Sequence, residues 1–161
     1  MTVNWSTGGT MNHPGFAGKT ETGIRGTGWA TSSSSWADVT GLVTNTSITV
    51  MRSTSIIMVF CELSTESDGA AGHGLARIRR SLNGGSWVTV ANFNIMGSLD
   101  NLAGGGFCYP HDHNQSAGTQ IKYKVQYRKT NTTGNHTIAD TGPGEGTSAS
   151  LFYWEQQYKN D

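Results

Sequence analysis

Apolar and polar residues alternate without a fault from Ile121 to Arg128. Ile121, Tyr123, Val125 and Tyr127 fall on one side, and Lys122, Lys124, Gln126 and Arg128 on the other. A period of two sends successive side chains to opposite faces of a strand, so this segment predicts a half-buried strand of an antiparallel sheet with one wet face. Ile56 to Leu63 shows a second pattern, a near-continuous apolar run rich in β-branched and aromatic residues. It is too short for a buried helix and predicts a central strand covered on both faces, with the rest of the chain laid around it. Before it, Val39, Leu42, Ile48 and Val50 alternate with small polar residues, and Arg52-Ser53-Thr54-Ser55 punctuates the chain. That order reads as one or two strands and a turn leading into the centre.

The remaining segments are short. Trp29–Thr31 and Trp36–Thr40 flank four serines, which predicts a first strand pair closed by a serine turn. Gly74–Ser81 and Trp87–Phe93 are separated by Asn83-Gly84-Gly85, residues that tolerate the positive φ of a tight turn, and they predict a hairpin. Met96 to Gly106 reads as a glycine-rich connection into a short strand, Phe107–Tyr109, stopped by Pro110. A strand at His136–Ala139 and a last one at Ala149–Glu155 follow, the latter with Leu151 and Tyr153 opposite Phe152 and Trp154. No amphipathic helix is expected. The fold class is all-β: an antiparallel β-sandwich, jelly-roll-like in strand number and length, with an irregular N-terminal arm. Residues 1–28 carry scattered glycines and no periodicity and are assigned to the arm, and 29–161 to the sandwich.

Charge narrows the partners. Eleven Lys and Arg balance eleven Asp and Glu, and only 14% of residues are charged. A neutral chain lacks the field that gathers phosphate backbones or anionic membranes, so neither nucleic acid nor membrane is an expected partner. Self-association fits better, because little net charge opposes it. Arg77, Arg79 and Arg80 read as a solvated face or as salt-bridge partners. Cys61 and Cys108 are expected to be buried free thiols, as in a chain folded in a cytoplasm.

Candidate chemistry is sparse. His111 and His113 sit at i and i+2 on Tyr109-Pro-His-Asp-His113, so a strand would point them the same way with Asp112 turned aside. Gly105 followed by five residues and His-x-His is similar to the opening of the cupin metal motif. The glutamate that should follow is absent, since Ala117 and Gly118 hold those positions. A polar loop without metal is expected. The serines lie in turns without a Gly-x-Ser-x-Gly elbow, and no carboxylate pair is marked out by its surroundings. No catalytic, cofactor or metal residue is assigned, and no enzymatic activity is expected.

One resemblance extends over residues 29 to 157. Trp36-Ala-Asp-Val-Thr-Gly-Leu42, Ser47-Ile-Thr-Val50, Ser53-Thr-Ser55 before an apolar strand, Tyr123-Lys-Val-Gln-Tyr127 and the closing Leu151–Trp154 are similar to jelly-roll modules of tailed-bacteriophage virion proteins. That resemblance implies a homotrimer. It implies a capsid decoration, or cement, protein that contacts the major capsid protein or other virion proteins after assembly in the host cytoplasm. The short stretch before the module favours this over the alternative, a tail-fibre or receptor-binding tip module that binds the host cell surface.

Overall fold

The computed structural model describes residues 10–13, 16–25, 29–43, 47–67, 73–96, 98–99, 103–130, 136–138 and 148–156. These residues form strands and no helix. The strands are β1 (Thr10–His13), β2 (Phe16–Arg25), β3 (Trp29–Thr31), β4 (Ala37–Val43), β5 (Ile48–Thr49), β6 (Ile56–Ser67) and β7 (His73–Leu82). There follow β8 (Val88–Met96), β9 (Ser98–Leu99), β10 (Ala103–Asp112), β11 (Gln120–Lys129), β12 (His136–Ile138) and β13 (Ser148–Gln156).

Two sheets result. In the first, the long strands lie in the order β2-β13-β6-β10, with β1 outside β2. β12 and β3 continue beside the far end of β6, where β9 adds a short parallel pair. In the second, the order is β4-β11-β7-β8, with β5 beside β11. All the long pairings are antiparallel. The eight long strands therefore interleave between the sheets in the strand order of a jelly roll, two Greek keys folded face to face.

Period-two alternation supplies the core. From β6, Ile57, Val59, Cys61 and Leu63 face inward, and from β11 Ile121, Tyr123, Val125 and Tyr127 meet them, every one of them buried. Leu151 and Tyr153 of β13 and Ala76 and Ile78 of β7 close the layer. Each valine, leucine or isoleucine among them contributes on the order of 1.5–3 kcal/mol by leaving water.

Several expectations change. β6 is central in its sheet, but only one of its faces is buried. Ile56, Met58 and Phe60 are half-buried and Glu62 is exposed, because every described strand belongs to one of the two sheets and no third layer of strands covers this side. β3 and β4 do not pair with each other: β3 joins β12 in the first sheet and β4 joins β11 in the second, so Ser32–Ser35 crosses between layers. β10 runs through Pro110, which pairs in register with Met58. Among the described strands β10 has β6 alone as its long partner, and an edge strand tolerates a proline that donates no hydrogen bond. Residues 10–13 and 16–25, expected as irregular arm, form a hairpin whose second strand pairs with β13. Backbone pairing to a sheet edge needs no side-chain periodicity, which is why glycine and threonine concealed it. The loop 68–72, the turn 141–146 and Ala139 lie outside the described residues. The β7–β8 hairpin is as expected, with Asn83 and Gly84 at φ 48° and 75°.

Candidate functional site

Register assembles a polar node inside one end of the sandwich. Ile57 on β6 is flanked by His111 on β10 and Glu155 on β13, all three on the inner face. Glu155 is fully buried, yet its carboxylate accepts hydrogen bonds from the amides of Met51 (2.9 Å) and Arg52 (3.2 Å) and lies against the Ser55 hydroxyl. It thereby closes the turn that feeds β6. A buried carboxylate is tolerated where donors replace its water, and here the backbone supplies them.

His113 extends this chain of contacts. Its Nδ1 accepts the Gln115 amide at 3.0 Å, and its Nε2 sits 3.2 Å from Ser55 Oγ. Because Nδ1 is an acceptor, the neutral ring carries its proton on Nε2 and donates it to Ser55. Ser55 Oγ also lies 2.8 Å from the Arg52 carbonyl, but the charged carboxylate is the stronger acceptor. The three residue types of a hydrolytic triad are thus present in the wrong order. The serine stands in the middle, gives its proton to Glu155 and receives one from His113, so the imidazole is not placed to deprotonate it. Ser55 is also buried.

His111 and His113 are both buried, so the segment expected as a polar loop is instead the inward-facing end of β10, and His111 Nδ1 lies 2.6 Å from the Tyr123 hydroxyl. Burial, then the Arg80 and His113 charges, lower its pKa to about 4, with Asp112 pulling weakly the other way. Burial lowers that of His113 too, with Arg80, against the opposing charges of Glu155 and Asp112. Arg80 is not part of a solvated face: its Nη1 is 3.3 Å from the His113 carbonyl. A second pair repeats the arrangement four residues along β11, where Tyr127 Oη lies 2.5 Å from Nδ1 of buried His136. No group of three metal-ligating side chains occurs among the described residues. The His-x-His pair faces the core and is engaged in hydrogen bonds.

The two outer faces differ in kind. On the second sheet, Lys124 Nζ sits 2.8 Å from Asp38, whose other donor is Gln126 at 2.6 Å, and Gln126 in turn accepts from Arg77 Nε at 2.7 Å. Burial pushes the Asp38 carboxyl up, but the hydrogen bonds from Lys124 and Gln126 and the charges of Lys124 and Arg79 overcome it and hold it below its usual range. The guanidinium groups of Arg77 and Arg128 lie 4.2 and 4.9 Å from the centre of the Trp36 ring, and Lys124 Nζ 4.7 Å from that of Trp87. The wet face expected of β11 is therefore largely roofed over, and Lys124 and Gln126 are buried.

On the first sheet the outer face is aromatic. Phe60 on β6 stacks at 4.9 Å on both Phe152, its register partner, and Trp154 of β13. Met58 lies beside them in register with Trp154 and Pro110. A groove of about 390 Å³ opens next to the cluster, lined by Phe60, Glu62, Gly106, Cys108 and Phe152 among others. Nothing lies within 4 Å of where a side chain on Gly106 would begin. Cys108 is exposed here rather than buried, on the opposite face from buried Cys61, and both thiols are free. Sequence reasoning passed over Ser55 and Glu155. The signal for Glu155 was available, since the inward positions Leu151 and Tyr153 continue to it at i+2.

The sequence matches no protein-family model and no curated protein. Among solved structures the chain is similar to one in the structure of infectious bursal disease virus Gx strain, with 12% sequence identity and a TM-score of 0.38. The match covers 88% of this chain and 36% of that one, so the chain spans about a third of that chain's length. The fold thus rests on strand pairing, and function has to be argued from the faces just described.

Proposed function

We propose that this chain is a non-enzymatic structural protein of a bacteriophage virion. In this reading it is a homotrimeric capsid decoration protein that packs through the outer face of the first sheet. The observation that carries the proposal is the Phe60, Phe152 and Trp154 cluster on a sheet face that no described strand covers. Contiguous apolar surface of this kind is what subunit contacts bury, and in a closed lattice each modest contact is repeated many times. The resemblance of the sequence phrases to those of phage jelly-roll modules supports the same reading. So does the strand order, although a jelly roll by itself decides no function.

The ring geometry weighs against the alternative of a receptor-binding tip that takes a glycan through this face. The rings of Phe60 and Phe152 lie within 8° of parallel across neighbouring strands, so they stand upright and offer their edges to solvent. A sugar stacks on open ring faces, whereas an upright ridge packs into another protein. The wiring of Ser55, with its proton held by Glu155, supports the non-enzymatic part.

The test is the copy number of this chain in purified virions relative to the major capsid protein. A ratio near one per capsid subunit agrees with decoration. A few copies per particle would contradict it and favour the fibre tip.

A further inference from the structure

The chain is neutral as a whole, but its charges are not evenly spread. Arg77 and Arg79 on β7 and Lys122, Lys124 and Arg128 on β11 share the outer face of the second sheet, five of the eleven cations in the sequence. Of the eleven acids, Asp38 on β4 is the one that meets them among the described residues, and its carboxylate is taken by Lys124 and Gln126. Lys124 and Arg79 stand directly opposite each other across the strands, an arrangement that costs energy between like charges. Burial, then the Arg79 and Arg128 charges, lower the pKa of Arg77 against the pull of Asp38. Trp36 and Trp87 hold the cationic groups in place through their rings.

We propose that this face docks an acidic protein surface, whose aspartates and glutamates supply the counter-charges that the fold leaves out. Asp38 shows in miniature how such a carboxylate is received, by an ammonium and an amide side by side. A protein fits better than a nucleic acid for two reasons. Among the described residues the face is a broad sheet rather than a helix or two-stranded ribbon that could enter a groove, and both tryptophans, which bases would stack on, already carry cations. The face lies on the far side of the sandwich from the Phe60 cluster, so its partner is separate from whatever the first sheet packs against.

Tryptophan fluorescence of the full chain titrated with poly-L-glutamate at low salt tests this. Saturable binding is expected, weakening as salt rises. It should fall about tenfold or more in the Arg79→Gln/Arg128→Gln double variant, as two charges are lost. The Lys122 side chain makes no hydrogen bond or ion pair among the described residues, so Lys122→Gln serves if the double variant fails to fold. It should weaken binding by about twofold to fivefold. Absence of binding, or equal binding by the variants, overturns the proposal. Tighter binding of a duplex DNA of matched charge overturns it as well.

Discussion

The imidazole of His113 and the hydroxyl of Ser55 meet at 3.2 Å across 58 residues of sequence, and the same hydroxyl reaches Glu155 on a third segment. This contact ties the turn before β6 to the end of β10 and to β13 at a place where apolar packing alone would leave three strand ends to fray. If Glu155 is the clamp, Glu155→Gln should destabilise the chain by about 1.5–3 kcal/mol, since an amide offers one acceptor oxygen and no charge to the amides of Met51 and Arg52. Urea unfolding of the two proteins at neutral pH measures the difference.

The two imidazoles should make stability depend on acid. Both have pKa values lowered in the fold, so the unfolded chain takes up protons first as pH falls below 6.5. Their contribution is complete above 6.5 and is lost on the way down to about 4, the value for His111. The urea midpoint should therefore fall through this window. His111→Asn should show a shallower fall there; an unchanged slope would rule His111 out as a source.

Gly74 is held by Tyr127. A side chain at Gly74 would run into the Tyr127 ring and its hydroxyl, so Gly74→Ala must push the phenol away from His136. Overpacking of this kind costs about 1–3 kcal/mol. In a Tyr127→Ala background the same substitution should cost little, and a double-mutant cycle by thermal unfolding reads the coupling.

Cys108 reports on the first sheet's outer face. Cys61 is buried and should stay inert in the folded chain, while Cys108 should react with a maleimide. If the face is an assembly contact, Cys108 should be modified in dilute protein and protected in concentrated protein. Equal reactivity at both concentrations would place the contact elsewhere.

What the sequence disclosed follows from how local each signal is. The alternation through Ile121 to Arg128 and the Asn83-Gly84 turn depend on neighbours along the chain, and β11 and the β7–β8 hairpin stand where they were expected. Pro110 misled because its cost vanishes on an edge strand, and edges are a property of the whole sheet. The serines at 32–35 read as a hairpin turn, yet the chain changes sheets there, which only the pairing of β3 and β4 with distant strands decides. The segment reads as a polar loop, so the burial of His111 and His113 was hidden, and only their shared direction was legible from the spacing. Their partners Tyr123 and Ser55 were not, since long-range register brings them together. The roofing of Lys124 by Trp87 was hidden for the same reason.

Sedimentation of the purified chain over a range of concentrations, beside Phe152→Lys, tests the central claim most directly. Phe152 is half-buried on the outer face and stacks on Phe60 without entering the core. The account predicts a trimer for the parent chain and a folded monomer for the variant, with circular dichroism unchanged. A parent chain that stays monomeric at every concentration, or a variant that assembles as well as the parent, would contradict it.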